Sequence, residues 1–296
     1  MVKFTGTIRE LLVGQTVTSP AGPLAPPDGL PDVVRVIAAD AVSALLDYQD
    51  AAYARLYLDR LKRFIGRRDV PVALFAEIAR LMAERMMYED PIRIAQLALR
   101  DPHGTERICQ FRVDEYVSLL PEVIAAPLLS FLQRIGCLDR KLNRRFNART
   151  TFGGRRLRME ASLRQWRAIS VRSTAERLWV ARWLHMIDRA LTKQPPAAAA
   201  IVETATMLHG HGDTYRQALA DWHLIIDELA KPTFDGVLAL PDLSEAIAHA
   251  RAASDSTRPQ RALKSEIARI KKQHADIHDK NAATSAPDEA SSLNQA

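Results

Sequence analysis

The stretch HGHGDT, at residues 209–214, has the residue types of a metal site. His209, His211 and Asp213 alternate along it. Imidazole together with carboxylate is a common ligand set for zinc or iron. These three side chains therefore define a first candidate site, which would hold a metal ion or a small ligand.

The same stretch carries the signals of a turn between two helices. Gly210 and Gly212 suit the positive-φ conformations that end a helix and form a turn. Thr214 and Gln217 have the spacing of a capping box, which predicts that a helix begins there. Because these signals explain most of the stretch without a ligand, we expect a structural turn. A ligand-binding loop and a metal site are the alternatives.

A second candidate is the stretch TTFGGRRLRM at residues 150–159, where two glycines could turn backbone N–H groups toward an anion. It lies in a basic segment, residues 134–172, with twelve basic and two acidic residues and hence a net charge of +10. Side chains of this segment that could bind phosphate or carboxylate are Lys141, Arg144, Arg145, Arg155, Arg156 and Arg158.

The basic segment indicates an anionic partner. A solvated face or a protein docking surface is the first interpretation, and a site for the phosphates of a cofactor such as CoA is the second. Nucleic acid is the least expected partner, because aromatic residues are sparse among the arginines and no zinc-finger, RNP or helix-turn-helix signature is present.

The third candidate is the YED turn, residues 88–90. Tyr88, Glu89 and Asp90 include paired carboxylates, which can perform acid–base chemistry or hold Mg²⁺. Asp90 precedes a proline, however, and this predicts an ordinary helix N-cap. A functional site would instead require the YED turn to converge with the HGHGDT stretch in one cleft.

No catalytic signature supports an autonomous active site. The motifs G-x-S-x-G, H-E-x-x-H, G-x-G-x-x-G and the P-loop are all absent. Cys109 and Cys137 form no C-x-x-C pair, which excludes an iron–sulfur cluster or a cysteine-rich zinc site built from this chain alone. Two buried, inert thiols are expected. We predict no catalytic residue, no metal and no cofactor in this chain.

The elements that must position these candidates have helical periodicity. No window of five or more residues alternates as a strand does, and residues 101–120 are predicted to be irregular. We therefore expect an all-α fold, a multi-helix bundle. The predicted buried faces are Tyr53, Tyr57, Leu61 and Phe64; Phe75, Ile78, Met82 and Met86; Trp179, Trp183, Met186 and Ala190, after a capping box at Ser173 and Glu176; and Tyr215, Leu219, Trp222, Ile226 and Leu229.

Composition indicates a soluble globular protein, with 47% hydrophobic and 26% charged residues. The chain has no apolar run that would span a bilayer and no signal peptide, so we expect no membrane partner and a cytoplasmic location. Three parts are predicted: a Pro/Gly-rich segment at 1–30, a helical domain at 31–250, and a terminal helix with a disordered tail at 251–296.

Five stretches, taken in order, resemble the C-terminal helical region of indolepyruvate ferredoxin oxidoreductase, in its beta subunit or in the fused long chain. The resemblance covers roughly residues 31–240. The stretches are LLDYQDAAYARLYLDRL (45–61), ERMMYEDPIRIAQLALR (84–100), EYVSLLP (115–121), RTTFGGRRLRMEASLRQWR (149–167) and GHGDTYRQALADW (210–222).

This resemblance implies membership of a system that oxidatively decarboxylates an aryl 2-oxoacid to its acyl-CoA and reduces ferredoxin. Partner subunits would carry thiamine diphosphate, Mg and iron–sulfur clusters, because no position of this chain corresponds to a cofactor ligand. The expected role is a noncatalytic accessory subunit or domain that binds oxidoreductase subunits, with CoA or ferredoxin as further candidate partners. The alternative is an independent helical protein that binds CoA or another small molecule through the HGHGDT stretch and the YED turn.

Overall fold

The computed structural model describes residues 24–101, 107–254 and 259–284, and it confirms an all-α bundle. The elements in chain order are α1 (Asp32–Tyr48), α2 (Ala51–Lys62), α3 (Val72–Met86), α4 (Pro91–Arg100), β1 (Arg107–Arg112), α5 (Val113–Val117), α6 (Glu122–Arg134), β2 (Lys141–Phe146), α7 (Thr151–Ser162), a 3-10 segment (Leu163–Ile169), α8 (Val171–Lys193), α9 (Ala198–Glu203), α10 (Gly212–Ile225), α11 (Lys231–Phe234), α12 (Leu243–Ser254) and α13 (Pro259–Thr284).

The first helical stretch is broken in the middle. The chain leaves the helix after Tyr48, and Asp50 caps α2 by accepting a hydrogen bond from the N–H of Tyr53 at 2.8 Å. An aspartate at this position satisfies one of the free N–H groups of a helix start. The break leaves the carbonyl of Tyr48 free to accept a bond from Arg167 at 2.6 Å.

Tyrosine hydroxyls join α1 and α2 to α3 and the turn that follows it. Tyr48 donates to the carbonyl of Tyr88 at 3.0 Å, Tyr53 to that of Met86 at 2.9 Å, and Tyr57 to that of Ala79 at 3.1 Å. A buried hydroxyl without a partner would cost free energy, so these bonds fix the register between the helices. Apart from the half-buried Leu219, every residue of the four predicted apolar faces is buried.

The N-cap of the central helix α8 lies three residues before the predicted cap. Ser170 is the N-cap and accepts a hydrogen bond from the N–H of Ser173 at 3.1 Å. The capping box predicted at Ser173 and Glu176 is therefore wrong. Glu176 is buried instead and accepts bonds from side chains of other helices.

A two-stranded antiparallel sheet is the main departure from the expected fold. β1 pairs with β2, Arg107 opposite Phe146 and Arg112 opposite Lys141. The prediction of irregular structure over 101–120 is thus wrong for 107–117, where β1 is followed by α5. Alternation was hidden because the outward side chain of Ile108 is apolar and exposed, while on the inward face the charged Arg144 stands opposite the buried Cys109.

The sheet of β1 and β2 encloses a small second core together with α4 and α7. Its buried residues are Ile94, Ala95, Cys109, Phe111, Phe146 and Leu157. Cys109 is buried as predicted, whereas Cys137 is half-buried. This satellite core attaches the basic segment to the rest of the bundle.

The turn before α10 follows the glycine signals. Gly210 and Gly212 have φ values of +72° and +65°, which confirms the positive-φ prediction. The helix begins at Gly212, with His211 in the N-cap position, and not at Thr214. Gln217 donates to Asp221 at 2.8 Å, so the capping box predicted there is wrong.

The last helices complete the main core. A π-helical turn, Ile226–Ala230, precedes Pro232, whose nitrogen has no hydrogen to donate. Leu263, Ile267 and Ile270 of α13 pack into the same core as α1. The helix α13 runs to Thr284, six residues into the tail predicted to be disordered. Residues 1–23 and 285–296 lie outside the described residues.

Candidate functional site

The YED turn and the HGHGDT stretch meet beside β1. Nδ1 of His211 lies 3.5 Å from Oε2 of Glu89, and its ring centroid lies 5.0 Å from that of Phe111. The neighbouring imidazole lowers the pKa of the Glu89 carboxyl, although partial burial raises it. The two turns thus converge, as the small-molecule alternative requires.

The space between the turns is small. A recess lined by Glu89, Phe111, Ser118, Arg172 and His211, among others, has a volume of about 20 Å³. This is room for roughly one water molecule. The converged turns therefore form a contact between elements and leave no cleft for an organic ligand.

A second, larger recess, which His211 also lines, has a volume of about 170 Å³. Lys141 Nζ lies 2.6 Å from Asp213 Oδ2, and Arg112 lies 3.8 Å from the same carboxylate. The hydrogen bond from Lys141 lowers the pKa of Asp213. Because its cations already have a carboxylate partner, this recess has little attraction for a further anion.

Two predicted site residues lie outside both recesses. His209 is exposed and lines neither of them. Tyr88 is buried, with its ring centroid 5.8 Å from that of Tyr48 and 5.5 Å from the guanidinium of Arg172. In the part of the chain that the structure describes, no three His, Cys, Asp or Glu side chains are arranged to hold a metal ion.

Asp90 is the centre of a buried ion pair. Its two carboxylate oxygens accept bonds from Nε and Nη2 of the fully buried Arg167 at 3.0 and 2.7 Å. The same carboxylate accepts from the N–H of Arg93 at 2.6 Å, which confirms the N-cap prediction. Burial alone would lower the pKa of Arg167, but Asp90 outweighs burial and the pKa is raised. Asp90 is therefore engaged inside the protein.

A second buried cluster surrounds Glu176. Its carboxylate receives Arg172 at 2.9 Å, Arg85 at 3.3 Å and the hydroxyl of Tyr215 at 2.6 Å. Arg85 also donates to the carbonyl of Leu208 at 2.7 Å, just before the HGHGDT stretch. The sequence offered no signal for this cluster, because its members come from three helices far apart along the chain.

The glycines of the TTFGGRRLRM stretch do not present free N–H groups. Thr150 caps α7, so its hydroxyl accepts from Gly153 at 3.0 Å and its carbonyl accepts from Gly154 at 2.8 Å. An anion therefore finds no unused backbone donor at these two positions. The expectation that they turn toward an anion is wrong.

The basic segment divides into paired and unpaired side chains. Lys141 pairs with Asp213, Arg144 and Arg156 with Glu160, Arg167 with Asp90, and Arg172 with Glu176. Of the six predicted anion-binding residues, Arg145, Arg155 and Arg158 make no ion pair with any residue that the structure describes. The exposed arginines of the segment that make no ion pair within the described residues are Arg134, Arg140, Arg145, Arg155, Arg158 and Arg164.

The protein also exposes an apolar helix. Of the thirteen residues of α6, only Ala125 is buried. Val123 and Phe131 are 72% and 58% exposed, and Ile124 and Ile135 are also exposed. We call these four residues the α6 surface. The stretch PEVIAAPLLSFLQRIG at residues 121–136 predicts an apolar helix but does not indicate that its apolar side chains face outward.

Exposed apolar side chains also lie on the 3-10 segment, whose end contacts the start of α6. Pro121, at the start of α6, forms an isolated antiparallel bridge with Ser170. Directly before this bridge the 3-10 segment exposes Leu163, Trp166 and Ile169. On α7, Phe152, Arg155 and Met159 recur at intervals of three and four and are exposed. Apolar and cationic side chains thus alternate along the exposed face of α7.

No described helix combines the length and the apolar composition needed to cross a membrane.

Comparison with known sequences matches residues 34–228 to a family of unknown function, DUF6537. This range contains both buried ion-pair clusters, the α6 surface and the converged turns. No curated protein and no solved structure matches the chain. The chain belongs to the DUF6537 family.

Proposed function

We propose that the chain is a noncatalytic accessory subunit or domain of a thiamine-diphosphate-dependent 2-oxoacid:ferredoxin oxidoreductase that acts on arylpyruvates. It binds the catalytic subunits through the α6 surface. The exposure of nearly the whole of an apolar helix is the observation that carries the docking role. The type of assembly is inferred from the resemblance of the five sequence stretches.

The composition of this area supports binding to a protein. Contiguous exposed apolar side chains mark interaction sites, and aromatic residues and arginine are enriched in interfaces. Phe131, Trp166 and Phe152 supply the aromatic groups, and Arg155 and Arg158 lack an ion pair in the described chain. An acidic surface with an apolar centre is the complementary partner, either on a catalytic subunit or on ferredoxin.

The acid–base residues support a noncatalytic role. Asp90 is paired with Arg167, Glu176 with Arg85 and Arg172, and Asp213 with Lys141. A general acid or base must reach a proton on a substrate, and these carboxylates are held by internal partners instead.

Co-purification tests the proposal. The chain is co-expressed with the catalytic subunits of an arylpyruvate:ferredoxin oxidoreductase from the same organism. We expect the wild type to co-elute with them and the Val123→Glu/Phe131→Glu variant to bind at least ~10-fold more weakly, a loss of about 1.4 kcal/mol. Val237→Glu is the matched control, since Val237 is 83% exposed and lies far along the chain from α6. A wild-type chain that elutes alone contradicts the proposal.

CoA is a second candidate ligand, favoured by Arg155 and Arg158 on α7, which make no ion pair within the described ranges. Calorimetry with CoA on the wild type and on Arg155→Ala/Arg158→Ala distinguishes it from protein docking. Heat that is lost in the double variant would support CoA binding. Absence of heat, or equal heat in both proteins, removes it and leaves docking as the function of these arginines.

A further inference from the structure

A groove between α8 and α10 has the dimensions of a ligand site and is separate from the α6 surface. Its volume is about 290 Å³, near the lower end of the range for small-molecule sites. Leu178 and Trp179 of α8 form one wall, and Tyr215 and Leu219 of α10 form the other. Most of its lining is apolar.

Regular helix faces build this groove. Arg172, Ala175, Trp179 and Arg182 are spaced by three, four and three residues on α8. Tyr215, Leu219 and His223 are spaced by four residues on α10. Side chains three or four positions apart lie on the same helix face, so both walls belong to packed helices and not to loops. Such walls give a groove of fixed shape.

The two arginines close the ends of the groove. They are ten residues apart, which corresponds to about 15 Å along the axis of α8. The guanidinium of Arg172 lies 4.1 Å from the ring centroid of Tyr215. That of Arg182 lies 5.6 Å from Trp222 and donates to Nδ1 of His223 at 2.9 Å. Stacking holds both cations in place.

At the Arg172 end of the groove, two arginines share one contacting carboxylate. Arg85 and Arg172 share the single carboxylate of Glu176, whereas Arg182 has a carboxylate of its own, Asp227. In the described part of the chain, Glu176 is the carboxylate within ion-pair distance of Arg172, Glu115 acts on it from farther away, and Nε of Arg172 is buried without a hydrogen-bond partner. A carboxylate placed there would form a charge-assisted hydrogen bond.

The opposite end offers a neutral donor. A guanidinium can only donate, so Nδ1 of His223 accepts and the ring hydrogen lies on Nε2. Burial and the nearby Arg182 both lower the pKa of His223, which keeps the ring neutral at pH 7. The indole N–H of Trp179, in the wall, is buried and has no acceptor in the described part of the chain.

We infer that this groove binds a medium-chain amphipathic monocarboxylate. The apolar body lies along Leu178, Trp179 and Leu219, and the carboxylate lies at the end held by Arg172. The length between the two arginines suits an elongated body of medium-chain size. This site is independent of docking through α6, and either can exist without the other.

Calorimetry and tryptophan fluorescence with octanoate test the inference. We expect saturable binding with a Kd below about 1 mM, and at least ~10-fold weaker binding for Leu178→Glu. Leu178 is 67% exposed, so this substitution leaves the fold intact while it places a negative charge in the groove. Arg172→Gln should show a similar loss if it folds, and Val237→Glu should bind as the wild type does.

An uncharged probe separates carboxylate recognition from simple apolar contact. Octanol, which has the same body without the charge, should bind at least ~10-fold more weakly than octanoate. The inference is overturned if octanoate shows no saturable binding, if Leu178→Glu binds octanoate as the wild type does, or if octanol binds equally well.

Discussion

Asp90 and Arg167 show how a residue that looks catalytic can be structural. The pair is closed to water, and Arg167 additionally donates to the carbonyl of Tyr48 and stacks 3.9 Å from its ring centroid. The pair thus joins α1, the start of α4 and the 3-10 segment through one guanidinium. The burial of a charge is tolerated only when each polar atom has a partner, and here the partners come from distant parts of the sequence.

We predict that Asp90→Asn lowers the free energy of unfolding by about 3–5 kcal/mol, because it leaves the buried charge of Arg167 without a counter-ion. Asparagine keeps the helix cap, so the loss reports the ion pair. Urea denaturation measures it. Asp59→Asn, which breaks the exposed pair with Lys62, is the control and should cost less than about 1 kcal/mol. A loss for Asp90→Asn as small as that of the control would contradict the structural role.

Sequence patterns predicted one half of this pair. Asp90 before a proline is a local signal, and it correctly indicated an N-cap. Arg167 has no local signal, because it is one of twelve basic residues in its segment and its partner is 77 residues away. Periodicity cannot distinguish a buried arginine from the exposed ones around it. The same reason hid Glu176, whose partners lie on α3, α8 and α10.

At the scale of elements, the contact between the HGHGDT stretch and β1 depends on a glycine. Gly212 has a φ of +65°, and a Cβ added there would lie 2.8 Å from the carbonyl oxygen of Gln110. The backbone at the start of α10 thus approaches β1 more closely than a residue with a side chain would permit. This approach also brings His211 beside Glu89 and Phe111.

Gly212→Ala should therefore destabilise the protein by more than the left-handed backbone alone explains. Gly236→Ala is the matched control, because Gly236 has a φ of +76° but open space around it. We expect about 1–2 kcal/mol for the control and a larger loss for Gly212→Ala, measured by thermal or urea unfolding. Equal losses at the two positions would mean that the close approach to Gln110 is not required.

Helices were predictable where one face is buried, whereas the two-stranded sheet was not predictable. Tyr53, Tyr57 and Leu61 recur at helical intervals and are all buried. β1 and β2 are separated by α5 and α6, so neither turn chemistry nor alternation links them. The exposure of α6 was also unpredictable, because an apolar helix gives the same pattern whether the surface that covers it belongs to this chain or to another.

At the scale of the whole molecule, the tyrosines report the integrity of the bundle. The chain has six tyrosines, and burial is the main factor that raises the pKa of each one. It raises the pKa of Tyr116 to about 12. The unfolded chain would ionise its tyrosines near pH 10. As the pH rises through 10 toward 12, the unfolded state loses protons first, so stability falls in this window.

Tyrosinate absorbance should therefore stay near zero at pH 10 in the native protein and then rise cooperatively as the bundle unfolds. Far-UV circular dichroism recorded in parallel should show the loss of helix over the same pH range. The same titration in guanidinium chloride is the control and should give ordinary midpoints near pH 10. Early, gradual ionisation of several tyrosines in the folded protein would contradict the buried hydroxyl network.

The helical bundle presents one side that its own core does not cover. Amide hydrogen exchange on the chain, alone and with the catalytic subunits of an arylpyruvate:ferredoxin oxidoreductase, tests directly whether a partner covers it. The proposal predicts slower exchange on complex formation in Glu122–Arg134, together with unchanged exchange in Leu243–Ser254. Unchanged exchange throughout the chain, or protection confined to elements other than α6, would contradict it.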